Sequence, residues 1–492
     1  MPSVELGKIT TNIPARLDRL PWSRFHWLVV IGLGTVWILD GLEVTIVGSM
    51  SEALKPADTG LGMSNFDIGL AGSIYVAGAC LGALVFGQLT DRYGRKKLFI
   101  LTLVLYTIAT VLTAFSPNPM WYFACRFLTG AGIGGEYAAI NSAIDELIPA
   151  HYRGRTDVVI NGSFWIGAAA GALLTIPLLD PTKVPPGLGW RLAFGLGAVL
   201  ALGVLLVRRH VPESPRWLFI HGREDEAEEI VTDIEDGIRE EGAELEDPTE
   251  TITIRQRRSI GIAMIARTVF TLYPRRTVLC FSLFVGQAFL YNAFFFTYGD
   301  TLTTFLDVKV TGWYLAIFAF SNFLGALLLS RLFDTVGRVP MIAGTYIVSG
   351  VLLAIAGVVL GSLNATTLTL FGAIIFFFAS AGASAAYLTA SEVFPMETRA
   401  LCIAFFYAIG TAVGGITGPL LFGALIENAA GSGDITKIAV GYYIGAALMV
   451  AGGVVAVFLG VKAEGQALES IAQPLTVEDA DSGDGRPAEA NA

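Results

Sequence analysis

Two carboxylates lie inside an apolar stretch of the sequence. In WILDGLEVTIVG, Trp37 to Gly48, Asp40 and Glu43 are three residues apart, so a helix would carry both on one face. A charge within a membrane is costly unless an opposite charge offsets it. Arg126 offers that charge, because a rise of about 1.5 Å per residue places it at the depth of Asp40. We therefore expect an Asp40–Arg126 pair.

Such a pair is typical of proton coupling. An aspartate that alternates between pairing with an arginine and binding a proton can carry that proton across a membrane. Glu43 would share the arginine or tune Asp40, or else lie at the outer water boundary. Glu136, about 15 Å deeper than Arg126, faces either the cavity or the cytoplasmic arginines. The proton-coupling candidates are thus Asp40, Glu43, Arg126 and Glu136, with a purely structural ion pair as the alternative.

The elements that carry these residues are membrane spans. Of the 492 residues, 54% are hydrophobic and 15% are charged, and the apolar residues fall in blocks of about twenty, long enough to cross a bilayer as helices. We predict twelve spans, centred on 27–48, 68–89, 98–115, 120–140, 158–179, 191–207, 277–299, 312–332, 339–361, 366–390, 400–426 and 438–461. Most lysines and arginines then fall on the side of both chain ends, which predicts cytoplasmic termini.

The domain organisation follows from these spans. We predict a cytoplasmic N-terminus at 1–26, a six-helix half at 27–207, a cytoplasmic central loop at 208–276, a second six-helix half at 277–462 and a disordered cytoplasmic tail at 463–492. The loop and tail are acidic, and the formal net charge is −10, which argues against a nucleic-acid surface. The four cysteines lie in predicted spans without metal spacing.

Two loop motifs occur twice. GQLTDRYGRKK after span two matches SRLFDTVGRVP after span eight, with Asp91 and Asp334 separated by 243 residues. The pattern E-x-x-P-x-x-x-R follows spans four and ten, at an offset of 246. The repeats predict two pseudo-symmetric halves. Positions equivalent to Arg126 and Glu136 in the second half carry no charge, which favours function over scaffold for the buried charges.

The repeated charges predict a cytoplasmic gate. Each aspartate lies just before the next helix, where a carboxylate is favoured, and the arginines can brace neighbouring helix ends. The predicted gating residues are Asp91, Arg92, Arg95, Glu146, Arg153, Asp334, Arg338, Glu392 and Arg399.

Neutral polar and aromatic side chains in the spans predict a substrate site. Buried amides need partners, and aromatic rings can orient a ligand. The predicted substrate-binding residues are Asn161, Trp165, Gln287, Tyr291, Asn292, Phe295, Tyr387 and Tyr407.

These motifs resemble the major facilitator superfamily over about residues 25–462. RFLTGAGIGGEYAAINSAIDELIPAHYRGR and PESPRWL are similar to the sugar porters and related metabolite/proton symporters, and GQAFLYN places Gln287 and Asn292 at the sugar-porter spacing. Tyr387 replaces a sugar-porter tryptophan, while DGLE resembles aromatic-acid/proton symporters and GGEY resembles niacin-like carriers. The resemblance implies an all-α membrane protein of twelve helices, with a proton-coupling role for Asp40 and Arg126.

The sequence therefore predicts a cell-membrane transporter that imports a small organic metabolite with protons, an organic or aromatic acid being favoured. The alternatives are a sugar or polyol symporter, a proton-coupled exporter, and a transporter-like receptor. No Walker loop, zinc spacing or nucleophilic triad occurs, so we expect no enzymatic activity, cofactor or metal. The expected partners are substrate, protons and lipid, with no nucleic acid, and the protein is expected to be a monomer.

Overall fold

A computed structural model describes residues 5–208, 212–248, 250–257, 266–308, 312–430 and 433–475, and it is 81% helical. The first half begins with span one, Arg24–Ser49, and span two, Asn65–Tyr93. Gly94, at φ 100°, lets the chain turn directly into span three. The remaining spans of this half are span three at Arg95–Ala114, span four at Pro119–Leu147, span five at Ala150–Gly162 and Phe164–Leu178, and span six at Gly189–Arg208.

The second half repeats this order. Gly337, at φ 112°, occupies the turn after span eight that Gly94 occupies after span two. The spans are span seven at Pro274–Leu306, span eight at Gly312–Thr335, span nine at Arg338–Val359, span ten at Ala365–Glu392, span eleven at Arg399–Gly410 and Ile416–Ala430 with a π-helical turn at Thr411–Gly415, and span twelve at Ala439–Leu459.

Eleven segments in the described ranges are long and apolar enough to cross a membrane. Span four is the predicted span that does not join them, because Arg126, Glu136, Asp145 and Glu146 lower its hydropathy. These charged side chains are all buried within the bundle. The fold is therefore the predicted all-α, two-half arrangement, with span four carrying its charges inward.

The two halves contact each other through spans two and eleven and through spans five and eight. Glycines permit the closest approaches, since a Cβ added at Gly87 would lie 2.6 Å from the Ala404 Cβ. One added at Gly162 would lie 2.3 Å from the Ala326 Cβ. The cores of both halves continue across these contacts as one buried cluster.

Soluble elements form a cap on one face of the bundle. We call this the terminal face, since the described segments 5–23, 212–248 and 463–475 lie there. Strand β1, Glu5–Thr11, pairs antiparallel with β2, Ile252–Arg257. A separate apolar core joins three helices. Arg16 of the first helix and Arg19, directly after it, form ion pairs with Glu235 of the third helix. The helices are Ile13–Asp18, Pro215–Ile220 and Glu224–Glu240.

The prediction of a disordered tail from residue 463 is wrong for residues 463–475. Leu468 is completely buried, and the Glu469 carboxylate accepts a hydrogen bond of 3.0 Å from Arg216 Nε. The short helix Leu468–Ile471 thus packs against the bundle. Residues 476–492 lie outside the described residues.

Candidate functional site

A buried ion pair connects spans one and four. Arg126 Nη1 donates a 2.5 Å hydrogen bond to Glu43 Oε1, and both side chains are 2% exposed. The Arg126 guanidinium also lies 4.6 Å from the centre of the Tyr75 ring. Tyr75 belongs to span two, so three helices of the first half meet at this charge.

The partner predicted for Arg126 is wrong. Asp40 is fully buried, and neither of its carboxylate oxygens has a hydrogen-bond partner among the described residues. Helix rise gave the depth of the charges to within one turn, but it did not give the direction of each side chain. Glu43, one turn above Asp40, is the residue that points to the arginine. Glu136 is also fully buried, and its part in proton coupling stays a prediction.

A central cavity of about 180 Å³ lies between the two halves. Seven of the eight predicted substrate-binding residues line it, and the side chain of the eighth, Phe295, lies outside the described residues. The lining residues are Trp37, Val44, Tyr75, Val76, Ala79, Tyr137, Asn161, Phe164, Trp165, Gln287, Ala288, Tyr291, Asn292, Ser380, Ala383, Ser384, Tyr387, Tyr407 and Thr411. The cavity is below the about 300–1,000 Å³ of drug-sized sites, so it suits a compact molecule.

Aromatic rings from both halves close the cavity toward the terminal face. The Trp37 ring stacks on Tyr137 with centroids 4.5 Å apart and an interplanar angle of 9°. Tyr407 meets Tyr137 edge to face at 4.8 Å, and Tyr387 meets Trp37 at 6.0 Å. We call these four residues the aromatic floor. Spans one, four, ten and eleven must therefore separate their rings before a ligand can leave in this direction.

Sequence reasoning missed the first-half part of this floor. Trp37 lies one helical turn before Asp40, and Tyr137 is the last residue of the GGEY motif. Both positions adjoin charges that had already been singled out. Their spacing from those charges is the signal that could have identified them.

The amides of the cavity differ in how free they are to bind a ligand. Asn292 Nδ2 donates to the Ala288 carbonyl at 2.8 Å, and Asn161 Nδ2 donates to Asn141 Oδ1 at 3.1 Å. The Tyr291 hydroxyl donates to Asn322 Oδ1 at 2.8 Å. Gln287 faces the cavity with 8% of its surface exposed. This wall offers donors and acceptors without a formal charge.

The repeated loop motifs form the same ion pair in each half. Arg95 Nη2 donates to Glu146 Oε1 at 2.8 Å. In the second half Arg338 binds Glu392 through two hydrogen bonds of 2.9 and 3.0 Å. The arginine after spans two and eight thus reaches the glutamate that ends spans four and ten. The two pairs occupy equivalent places in the two halves.

Other gating candidates link the halves at the terminal face. The Asp334 carboxylate accepts hydrogen bonds from the Gly154 and Arg155 amides at 3.1 and 2.9 Å, which joins span eight to span five. Arg399 Nη1 lies 3.7 Å from Glu146 Oε1, which joins span eleven to span four. The aromatic floor and these links together connect the two halves at the terminal face.

Two gating candidates stand apart from these links. Arg153 binds Asp18 of the N-terminal segment at 3.2 Å. Arg92 is exposed and stacks over the Tyr93 ring, so the structure leaves it outside the network. The side chain of Asp91 lies outside the described residues.

Comparisons with known proteins agree with this architecture. The family model described as "Sugar (and other) transporter" matches residues 39–475. The niacin transporter NiaP of Acinetobacter baylyi is 29% identical over 472 residues, covering 94% of this chain and 99% of that protein. A probable 4-methylmuconolactone transporter of Cupriavidus pinatubonensis is 26% identical over 380 residues, covering 77% of this chain and 79% of that protein.

A similar fold occurs in a solved structure. The proton:xylose symporter XylE bound to 6-bromo-6-deoxy-D-glucose superposes with a TM-score of 0.75. The match covers 91% of this chain and 98% of that chain at 17% identity. At this identity the likeness concerns the arrangement of the helices.

Proposed function

This chain belongs to the sugar (and other) transporter family of the major facilitator superfamily, and from that premise we propose that it imports a small organic metabolite together with protons. It is a multi-pass membrane transporter of sugars or metabolites rather than an enzyme. To this the proposal adds coupling to protons, the inward direction of transport and the chemical nature of the substrate.

One observation carries the proton-coupling proposal: in the described part of the chain Asp40 is buried without a hydrogen-bond partner, while the nearby Arg126 is paired with Glu43. An ionised carboxylate without a partner is costly in apolar surroundings, so we expect Asp40 to hold a proton in this conformation. Glu43 can remain ionised because Arg126 compensates its charge. The sequence predicted both proton binding and pairing with Arg126 for Asp40. We now assign proton binding to Asp40 and pairing with Arg126 to Glu43.

Release of the proton would follow from opening of the terminal face. When the aromatic floor and the inter-half links separate, water can reach the cavity and solvate an ionised Asp40. The substrate leaves through the same opening, so proton and substrate move in one direction. This is symport by alternating access, and its driving force is the proton gradient.

The cavity supports a compact planar molecule as the substrate. Eight of its described lining residues are aromatic, and the amides can orient polar groups at the edge of a ring. A sugar or polyol is the second candidate, because Gln287 and the neighbouring amides also suit hydroxyl groups. The organic acid favoured by the sequence fits less well, since none of the described lining residues is cationic.

We further propose that the chain works as a monomer in the cell membrane, with the terminal face in the cytoplasm. The support for this orientation is the excess of lysine and arginine on the side of the chain ends. The domain boundaries follow the same division into two halves, a central loop and a tail.

Transport by reconstituted protein tests the coupling. A panel of labelled ring compounds, sugars and polyols is screened for uptake into proteoliposomes with an inside-alkaline gradient. We expect Asp40→Asn to abolish gradient-driven accumulation while counterflow exchange persists, because asparagine mimics the protonated carboxyl. The matched control is Asp58→Asn, which changes an exposed carboxylate in the connection between spans one and two. Undiminished accumulation by Asp40→Asn would refute proton coupling through this residue. Substrate moving against the proton flow would instead establish an exporter.

A further inference from the structure

The wall of the cavity carries no formal charge. Among its described residues the polar groups are amides, hydroxyls and the indole nitrogens, and the rest are apolar. This is unexpected beside the two carboxylates and the arginine of spans one and four. Another side chain must therefore lie between those charged groups and the ligand.

Tyr75 occupies the position that separates them. Its side chain lines the cavity, and the Arg126 guanidinium lies against its ring at 4.6 Å. Arg126 itself is 2% exposed and does not line the cavity. Arg126 Nη1 donates a hydrogen bond to Glu43, and the guanidinium lies over the Tyr75 ring. A ligand in the cavity thus meets the phenol rather than the ion pair.

We propose that Tyr75 is a specificity-determining residue that keeps the Glu43–Arg126 pair out of the cavity, so that the cavity selects an uncharged aromatic amide. The proposal rests on the proposed function only in taking this cavity as the substrate site. It replaces the favoured organic acid with a neutral class of ligand.

The choice of a neutral ligand follows from desolvation. An anion entering the cavity would lose its water and find no cation in exchange, and an organic cation would find ring faces but no ionised carboxylate. A neutral planar amide loses less hydration free energy when it leaves water. Its ring can pack on the aromatic walls, and its amide can exchange hydrogen bonds with Gln287 and the neighbouring amides.

Three ligands of one ring size and different charge test this selection. Nicotinamide is neutral, nicotinate is an anion at about pH 7, and 1-methylnicotinamide is a cation. Binding to the purified full-length protein is measured by titration calorimetry. We expect nicotinamide to bind at least about tenfold more tightly than either charged compound. Tighter or equal binding of nicotinate or 1-methylnicotinamide overturns the proposal, and so does the absence of binding by all three.

Substitution of Tyr75 tests the shielding. Tyr75→Ala removes the ring and opens Arg126 to the cavity. The affinity for nicotinate should therefore rise at least about tenfold relative to the affinity for nicotinamide. Tyr75→Phe keeps the ring and is the matched control, which should preserve the original ratio. An unchanged ratio in a folded Tyr75→Ala protein overturns the role of Tyr75. If that variant does not fold, Tyr75→Leu replaces it, because leucine retains apolar volume without the planar ring.

The two proposals can fail separately. The binding ratio is measured without a proton gradient, so a failure of coupling through Asp40 leaves it unaffected. Conversely, preferred binding of a charged ligand would overturn the shielding while Asp40→Asn still abolished accumulation.

Discussion

Asp40 and Glu43 show how position along one helix turn decides the environment of a carboxylate. Both are buried, yet Glu43 has a guanidinium at 2.5 Å and Asp40 has no hydrogen-bond partner in the described part of the chain. One carboxylate can therefore stay ionised at low cost, while the other is stable only when it carries a proton. We propose that this difference lets Glu43 anchor Arg126 while Asp40 exchanges protons.

The stabilities of two conservative variants should reveal this difference. Glu43→Gln leaves the buried Arg126 without its counter-charge, and such a loss costs about 3–5 kcal/mol. Asp40→Asn removes no ion pair and should change the free energy of unfolding by less than about 1 kcal/mol. Thermal unfolding of the two purified variants measures the contrast. Equal melting temperatures would contradict the assignment of Arg126 to Glu43.

The sequence identified the chemical groups of the site better than their pairing. The four buried charges Asp40, Glu43, Arg126 and Glu136 and seven of the cavity side chains were predicted, because charges and amides stand out against an apolar background. The prediction of an Asp40–Arg126 pair was wrong, because the rise per residue determines how deep a residue lies in the membrane but not the direction of its side chain. Trp37 and Tyr137 were missed because aromatic residues in a membrane span most often pack against lipid or other helices.

At the scale of elements, two matching ion pairs brace the helix ends at the terminal face. Each half pairs the arginine of one loop motif with the glutamate of the other, at Arg95–Glu146 and Arg338–Glu392. These pairs fix helix ends within a half, whereas the Asp334 carboxylate binds backbone amides of the opposite half. Opening thus breaks the contacts between halves and can leave the pairs inside each half intact.

Close packing at Gly87 should control this opening. Gly87→Val places side-chain atoms against Ala404, where even a Cβ would lie 2.6 Å from the neighbouring Cβ. Overpacking of this kind costs about 1–3 kcal/mol, and separation of spans two and eleven relieves it. We expect faster hydrogen exchange, measured by mass spectrometry, at the ends of these spans on the terminal face.

A second glycine provides the control for this variant. A Cβ added at Gly203 of span six would meet no atom within 4 Å. Gly203→Val should therefore leave the exchange of spans two and eleven unchanged. Identical exchange in the two variants would show that close packing at Gly87 does not hold the halves together.

The sequence predicted the spans and their repeat, but not their internal irregularities. Blocks of apolar residues and duplicated motifs are strong signals, so the two-half fold was confirmed. The break of span five at Ser163 and the π-helical turn at Thr411–Gly415 were not predicted. These features depend on contacts between helices, which a single sequence does not display.

At the scale of the molecule, the cap connects the described terminal segments to both halves of the bundle. Arg216 binds Asp18 of the N-terminal segment and Glu469 of the tail. Arg153 of span five donates to the Gln466 carbonyl, and Arg276 of span seven donates to the Ile471 carbonyl. The composition of the tail concealed this role, because a few polar contacts to distant arginines leave no periodic pattern in the sequence.

Two truncations should therefore differ. Ending the chain after Glu464 removes the tail contacts of Arg153, Arg216 and Arg276, and loss of the buried Arg216–Glu469 pair alone should cost about 3–5 kcal/mol. Ending it after Leu475 removes only an acidic segment whose composition predicts no buried core, so stability and transport should persist. Thermal unfolding and transport of the two truncated proteins measure the difference, and equal melting temperatures would contradict a bracing role for the tail.

Glu469→Gln isolates the ion pair from the rest of the tail, and pH provides an independent check. Burial alone would raise the pKa of Glu469, but the charges of Arg216 and other arginines hold it below its ordinary value of 4.5. A carboxyl with a lowered pKa stabilises the folded state fully above that ordinary value, and the stabilisation disappears as the pH falls through the lower folded-state pKa. The difference in stability between the unsubstituted protein and Glu469→Gln should thus stay constant from about pH 6 to pH 8 and shrink only in more acidic solution. A difference that vanished near neutral pH would mean that the Glu469 carboxylate is not the group that holds the tail in place.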